Sequence, residues 1–96
     1  MPRKRQPIEI WLRLTRPRIW ERDGRCCVHC HKEVELDEAQ IDHIRSGKLG
    51  MNDDSNLRCL CRRCHVLRLD HRHRGMIAGA LRDGIIGPDW RSQVWE

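Results

Sequence analysis

Two cysteine pairs constrain this chain more than any other feature of its sequence. Cys27 and Cys30 enclose two residues, Cys61 and Cys64 enclose two more, and Cys30 and Cys61 lie 31 positions apart. A two-residue gap lets both sulfurs of a pair reach one tetrahedral ion at about 2.3 Å each. The spacing therefore predicts a zinc site made of four cysteines. Such a site keeps no coordination position open for chemistry, so we expect the zinc to be structural.

Alternatives to this ligand set remain open. Cys26 competes with Cys27, although only Cys27 gives two symmetric pairs, and His29 and His31 lie close enough to be substitute ligands. Cys59 is also left over. The cysteines would otherwise be buried free thiols or disulfides.

Chain length makes a metal site useful. The chain has 96 residues, enough for one small domain, and its four Trp supply every large aromatic ring because there is no Tyr or Phe. Scaffolds below roughly 70–80 residues usually need a disulfide or a metal to supplement a small core. No apolar run reaches the roughly 18–20 residues of a membrane span, and the basic start lacks a signal peptide's apolar core. We therefore expect a cytoplasmic protein without membrane contact, where paired cysteines are more often metal ligands.

The charge of the chain permits a nucleic-acid partner. The formal net charge is +5, and 16 of the 19 basic residues are Arg. Arg presents a planar fork that suits phosphate oxygens, although a GC-rich genome would produce the same bias. Four thiolates and one Zn²⁺ add −4 + 2 = −2, which leaves +5 − 2 = +3.

The order of elements predicts an α+β domain with a short arm and a tail. We expect a basic arm over residues 1–15, a domain over 16–74 and an extension over 75–96, in which Trp90, Val94 and Trp95 pack either on the domain or on another chain. A helix is predicted to begin near Arg16, with Pro17 in its first turn, and to end at Asp23-Gly24. The further predictions are two short strands within 34–44, a loop over 46–55, a helix over 60–74 and a helical turn over 76–81.

Three further motifs surround the cysteines in order. Arg22-Asp23-Gly24 precedes the first pair, Asp42-His43 lies between the pairs, and Asn56 and His65 flank the second pair. Together with the cysteines, these residues resemble the HNH endonuclease family over roughly residues 18–74. The resemblance implies a ββα-metal fold: two short antiparallel strands packed on a helix, fastened by a zinc ribbon. It also implies a small bacterial or phage protein.

The resemblance implies metal-dependent hydrolysis of DNA, by nicking or double-strand cleavage, that leaves a 5′-phosphate. It assigns Asp42 and His65 to one divalent ion, Mg²⁺ or Mn²⁺, and His43 to the attacking water as general base. A neutral imidazole can take that proton near neutral pH, and carboxylates suit hard cations. Asn56 would steer His43 without binding metal. Some relatives carry another histidine four residues after the last one of the motif, but that position is Leu69 here.

Each of these residues could instead have a purely structural role. His43 would be a packed core histidine, Asp42 a surface carboxylate, His65 a satisfied helix residue and Asn56 a cap. The competing function is a non-catalytic zinc-ribbon module that binds nucleic acid. A homodimer or a phage packaging partner is a further expectation that nothing in the sequence decides.

Basic residues around the motif predict contacts to DNA phosphates. Such contacts position a duplex without reading its bases, so we expect little sequence preference and strong salt dependence. The alternative is a solvated basic face. The residues expected to contact DNA are Arg45, Lys48, Arg58, Arg62, Arg63, Arg68 and Arg72.

Overall fold

The computed structural model describes residues 7–45, 53–68 and 74–96. In it, the helix predicted to begin near Arg16 begins earlier, at Ile8. It consists of α1 (Ile8–Ile10), a π-helical turn (Trp11–Thr15) and α2 (Arg16–Arg22). Proline has no N–H and interrupts an α-helical ladder. The wider turn immediately before Pro17, closed by Arg16 N–H donating to the Trp11 carbonyl, carries the helix across the proline.

The second half of the predicted arm is helical, because the helix already begins at Ile8. Residues 1–6 lie outside the described residues, but Trp11 packs against the core and Thr15 is buried. The division into arm, domain and extension itself stays a prediction.

The Asp23-Gly24 turn follows α2 as predicted. Gly24 has a φ of 73°, a left-handed conformation that glycine adopts without strain. The Asp23 carboxylate then accepts a hydrogen bond from the backbone N–H of Cys59 at 2.9 Å, which ties the turn to a distant strand.

The sheet contains two antiparallel strands, β1 (Gln40–His43) and β2 (Leu57–Leu60). Asp42 pairs with Arg58 and His43 with Leu57. The prediction of two strands within residues 34–44 is therefore wrong in part, since Leu36–Glu38 form a 3-10 turn. The partner strand comes from residues expected to join a loop to a helix.

Helix α3 (Arg62–Leu67) begins two residues later than predicted because Cys61 caps it, with its sulfur accepting from Cys64 N–H. Residues 69–73 of the predicted helix lie outside the described part of the chain. The expected helical turn over 76–81 is confirmed within α4 (Arg74–Arg82), and a 3-10 turn, Trp90–Gln93, follows.

Within the described ranges, the core residues form two apolar clusters. One surrounds the cysteines and the sheet, with Ile19, Leu57 and Leu60 fully buried. The other joins α3 to α4. Trp95 packs against both clusters and so connects them. Fully burying a Leu or Ile side chain stabilises a fold by about 1.5–3 kcal/mol. The α+β architecture with a two-stranded antiparallel sheet is confirmed.

None of the helices in the described ranges has both the length and the apolar character needed to cross a bilayer.

Candidate active site and metal centres

The four predicted zinc ligands lie together. The sulfurs of Cys27, Cys30, Cys61 and Cys64 are all within 4.8 Å of one another, and those of Cys30 and Cys61 are 3.8 Å apart. A tetrahedron with bonds of about 2.3 Å has edges of about 3.8 Å. The structure thus brings together the four cysteines that the spacing selected, and their cluster suits a structural zinc site.

The electrostatics of the cluster also suit a cation. Burial raises the pKa of Cys61 and of Cys64, and the nearby Cys27 sulfur adds to the rise. Burial also raises the pKa of Cys27, but backbone amides donate to its sulfur and together outweigh burial, which brings this pKa down to about 7. Four thiols this close ionise together only when a cation offsets their charge.

The alternative ligands have other contacts. Cys26 donates its thiol hydrogen to the Gly24 carbonyl at 3.2 Å, and Cys59 is buried in the core. Burial, followed by the Asp23 charge, raises the pKa of Cys59 to about 12. The His29 ring stacks on Trp95, with centroids 3.8 Å apart. Among the described residues, the group of three or more donors close enough together to hold one metal ion consists of the four cysteines that the spacing selected.

Asp42 is a buried carboxylate held by side chains from β2 and from the region of α3. Its side chain is 3% exposed. Oδ2 accepts from Arg58 Nε at 2.9 Å, Oδ1 accepts from Arg68 Nη1 at 2.9 Å, and Oδ1 lies 3.5 Å from His65 Nε2. Burial raises the pKa of Asp42, but His65, Arg68 and Arg58 together outweigh it, so the pKa lies below its ordinary value. Asp42 is therefore ionised at neutral pH.

Asp42 and His65 fit a divalent cation as a donor pair. Their facing atoms, a carboxylate oxygen and an imidazole nitrogen, are 3.5 Å apart. Bonds of about 2.1 Å from both atoms to one ion would subtend an angle of roughly 110°. A closer approach of about half an ångström would reach the right angle of an octahedral site with the same bond length. Carboxylate and imidazole are common ligands of divalent metals.

His43 ends β1 beside Asp42 and contacts a different part of the structure. Successive residues of a strand point to opposite faces. Asp42 contacts the arginines and His65, whereas the His43 ring stacks on Trp11 with centroids 5.5 Å apart and an interplanar angle of 14°. No sequence pattern indicates this contact, because Trp11 lies in the segment predicted to be an arm.

Asn56 fixes the backbone that follows His43. Its side-chain Oδ1 accepts from the Arg45 N–H at 2.8 Å, and its Nδ2 donates to the Arg45 carbonyl at 3.1 Å. Its own carbonyl accepts from the Ile44 N–H at 2.8 Å. These bonds cross the loop in the way that an organising residue would require. Its influence on the tautomer of His43 stays a prediction.

The arginines predicted to bind DNA fall into two groups. Arg58 and Arg68 have side chains only 14% and 11% exposed and are engaged by carboxylates. Arg68 also donates to the carbonyls of His43 and Ile44, at 2.6 and 2.5 Å. These two guanidinium groups therefore bind residues of the candidate site itself.

The remaining predicted DNA contacts lie on the surface or outside the described residues. Arg62 pairs with Asp83 at 2.7 Å, Arg63 donates to Gln93 at 2.7 Å, and Arg45 is exposed. Lys48 and Arg72 lie outside the described ranges. Contact of any of these residues with DNA stays a prediction.

Arg22 and Glu96 are site residues that the sequence reasoning missed. Arg22 donates to the carbonyls of Asp54 and Leu57 at 2.7 and 2.6 Å, which holds the start of β2 against α2. Glu96 accepts from both Arg58 and Arg68. The Arg22-Asp23-Gly24 motif signalled the first residue, but no local pattern signals Glu96.

Comparison with models of known protein families matches residues 27–71 to HNH endonuclease. The matched segment contains the four cysteines, both strands and α3. Searches of curated proteins and of solved structures returned no match. The family match confirms the resemblance read from the ordered motifs.

Proposed function

Because residues 27–71 match the model of the HNH endonuclease family, which supports a nuclease-type function and a nucleic-acid substrate, we propose that this protein is a metal-dependent DNA endonuclease. It would hydrolyse phosphodiester bonds by nicking or double-strand cleavage. The observation that carries the proposal is the 3.5 Å approach of Asp42 Oδ1 to His65 Nε2 within the matched segment. A buried carboxylate and an imidazole at this distance fit one divalent ion.

His43 is the general base in this proposal. Phosphodiester hydrolysis needs a water molecule that loses a proton as it attacks, and a neutral imidazole accepts that proton at physiological pH. Trp11 stacks on the ring of His43 and restricts its rotation. Asn56 fixes the adjacent backbone at Arg45. These contacts support a fixed His43 ring, which general-base catalysis requires.

Asp42 and His65 hold Mg²⁺ or Mn²⁺ in this proposal. When bound, such an ion would stabilise the negative charge of the reacting phosphate and of the departing oxygen. Arg58 binds the other oxygen of Asp42 and fixes the orientation of the carboxylate. A zinc ion on the four cysteines would serve the fold alone, because a four-thiolate site keeps no open coordination position.

The DNA would be held mainly through its phosphates. Arg45 is exposed and lies two residues beyond His43, where a guanidinium can contact the backbone of a bound strand. Phosphate contacts carry no sequence information. We therefore propose weak sequence preference, with Arg62, Arg63 and the residues outside the described ranges adding further contacts.

One observation favours the second candidate, a non-catalytic zinc-ribbon module that binds nucleic acid. Both oxygens of Asp42 are already engaged by arginines, as in a purely structural ion-pair cluster. Such a module has no need of a buried carboxylate that faces an imidazole, so the nuclease remains the better account.

Nicking of a supercoiled plasmid in Mg²⁺ or Mn²⁺ separates the two candidates. Wild type should nick the plasmid, and His43→Ala should lower the rate by about 10²–10⁴-fold, the usual contribution of a general base. His31→Asn is the matched control, because His31 is exposed and has a left-handed φ of 67° that Asn tolerates. Equal nicking by wild type and His43→Ala, or none by wild type, would contradict the proposal.

A further inference from the structure

Glu96 shares two arginines with Asp42. Its carboxylate accepts from Arg58 Nη1 and Nη2 at 3.1 and 2.7 Å and from Arg68 Nε at 2.8 Å. The same guanidinium groups donate to Asp42 at 2.9 Å each. Two carboxylates thus offset two guanidinium groups, with a formal sum of −2 + 2 = 0.

The contacts of Trp95 hold Glu96 at this position. The Trp95 backbone N–H donates to the Leu67 carbonyl at 3.1 Å, and its indole N–H donates to the Cys64 carbonyl at 2.7 Å. The ring lies 5.0 Å from the Arg58 guanidinium and stacks on His29, next to the zinc cysteines. The neighbour of Glu96 is therefore fixed to α3 and to the zinc ribbon.

The charge balance determines how available Asp42 is to a cation. Without the Glu96 charge, two guanidinium groups would face a single buried carboxylate, and the cluster would carry a net charge of +1. That charge would oppose a divalent ion, and both arginines would bind Asp42 more tightly. Electrostatic effects of this kind are strong where side chains are largely shielded from water, as those of Arg58 and Arg68 are.

We propose that Glu96 is a positioning residue of the ion site: it neutralises and holds Arg58 and Arg68 so that Asp42 can accept a divalent cation. This inference rests on the proposed assignment of that cation to Asp42 and His65. It predicts that the Glu96 charge affects ion affinity as well as catalytic rate.

Binding of Mn²⁺ to the full chain, loaded with zinc, tests the inference without requiring activity. Free Mn²⁺ is followed by electron paramagnetic resonance for wild type, Asp42→Asn, Glu96→Gln, Glu96→Asp and Asp83→Asn. Glu96→Gln should bind Mn²⁺ about tenfold or more weakly, the usual effect of losing an outer residue of a metal site. Asp83→Asn is the matched control, because Asp83 pairs with Arg62 in an exposed contact outside the cluster.

The outcomes separate the two proposals. No Mn²⁺ binding by wild type, or undiminished binding by Asp42→Asn, overturns the ion site and the inference with it. Loss of binding in Asp42→Asn with unchanged affinity in Glu96→Gln overturns the inference alone. Glu96→Asp keeps the charge and should retain most of the affinity, so weakening equal to that of Glu96→Gln would also overturn it. Melting of each variant, followed by Trp fluorescence, verifies that it is folded.

Discussion

Asp42 and Arg58 face each other across the two-stranded sheet and are joined by a 2.9 Å ion pair. The pair places the Arg58 guanidinium group on Oδ2, and Oδ1 accepts from Arg68 Nη1 at 2.9 Å and lies 3.5 Å from His65 Nε2. The register of the two four-residue strands therefore places Arg58 opposite this carboxylate. A one-residue slip would move Asp42 to the opposite face.

Replacing a zinc ligand should unfold the domain. Cys61→Ser removes one of four sulfurs that lie within 4.8 Å of one another, and structural zinc contributes on the order of 10 kcal/mol in small domains. We expect loss of the bound zinc and of the cooperative melting transition, measured by metal analysis and circular dichroism. Cys26→Ser is the control, because its sulfur lies outside the cluster. A folded, zinc-free Cys61→Ser protein would contradict the structural role.

Asn56 should stabilise the fold through both its side-chain oxygen, which accepts a hydrogen bond, and its side-chain nitrogen, which donates one. Asn56→Ala removes two hydrogen bonds to Arg45 and should destabilise the fold by about 1–3 kcal/mol. Asn56→Asp retains the acceptor and loses the donor, so we expect an intermediate loss. Urea unfolding measures both, and an Ala variant as stable as wild type would show that the loop does not depend on these bonds.

Trp11 should support His43 as well as the core. Trp11→Ala removes the ring that stacks on His43 and should cost roughly 1–3 kcal/mol of stability. It should also lower the plasmid-nicking rate under conditions where the variant is folded. Leu14→Ala is the control on the same helical run, because Leu14 is 55% exposed. Equal nicking rates for wild type and Trp11→Ala would show that Trp11 does not support the catalytic role of His43.

The local patterns of the sequence predicted the parts of the fold that depend on spacing. Two cysteine pairs determine a tetrahedral cluster because the gap within each pair sets the sulfur positions. The Asp23-Gly24 turn follows equally from local chemistry. Pro17 misled the prediction, because proline at a helix start and proline after a π-helical turn look alike in sequence.

The features that could not be predicted depend on contacts between distant residues. Strand β2 is four residues long and runs directly into the second cysteine pair, so its apolar pattern was indistinguishable from the start of a helix. The sequence predicts only DNA contacts for Arg58 and Arg68, because Glu96, with which they pair, lies 38 and 28 positions away from them. A position so distant in sequence gives no pattern from which an ion pair can be inferred.

Affinity for DNA should fall steeply with salt. Each phosphate contact that is lost reduces the slope of log affinity against log salt by about 1. Arg45→Ala should therefore weaken binding on all sequences and make the slope shallower between 50 and 200 mM salt. Fluorescence anisotropy with a labelled duplex measures the slope. Affinity that is insensitive to salt would argue against binding through phosphates.

The central claim, that Asp42 and His65 hold the ion a nuclease requires, is tested most directly by plasmid nicking as Mn²⁺ is titrated. Wild type should nick supercoiled DNA as Mn²⁺ rises, and His65→Ala, with its zinc retained, should be slower by about a hundredfold or more, because metal-ion stabilisation is worth several kcal/mol. Nicking by His65→Ala at the wild-type rate and with the same Mn²⁺ dependence would contradict the claim.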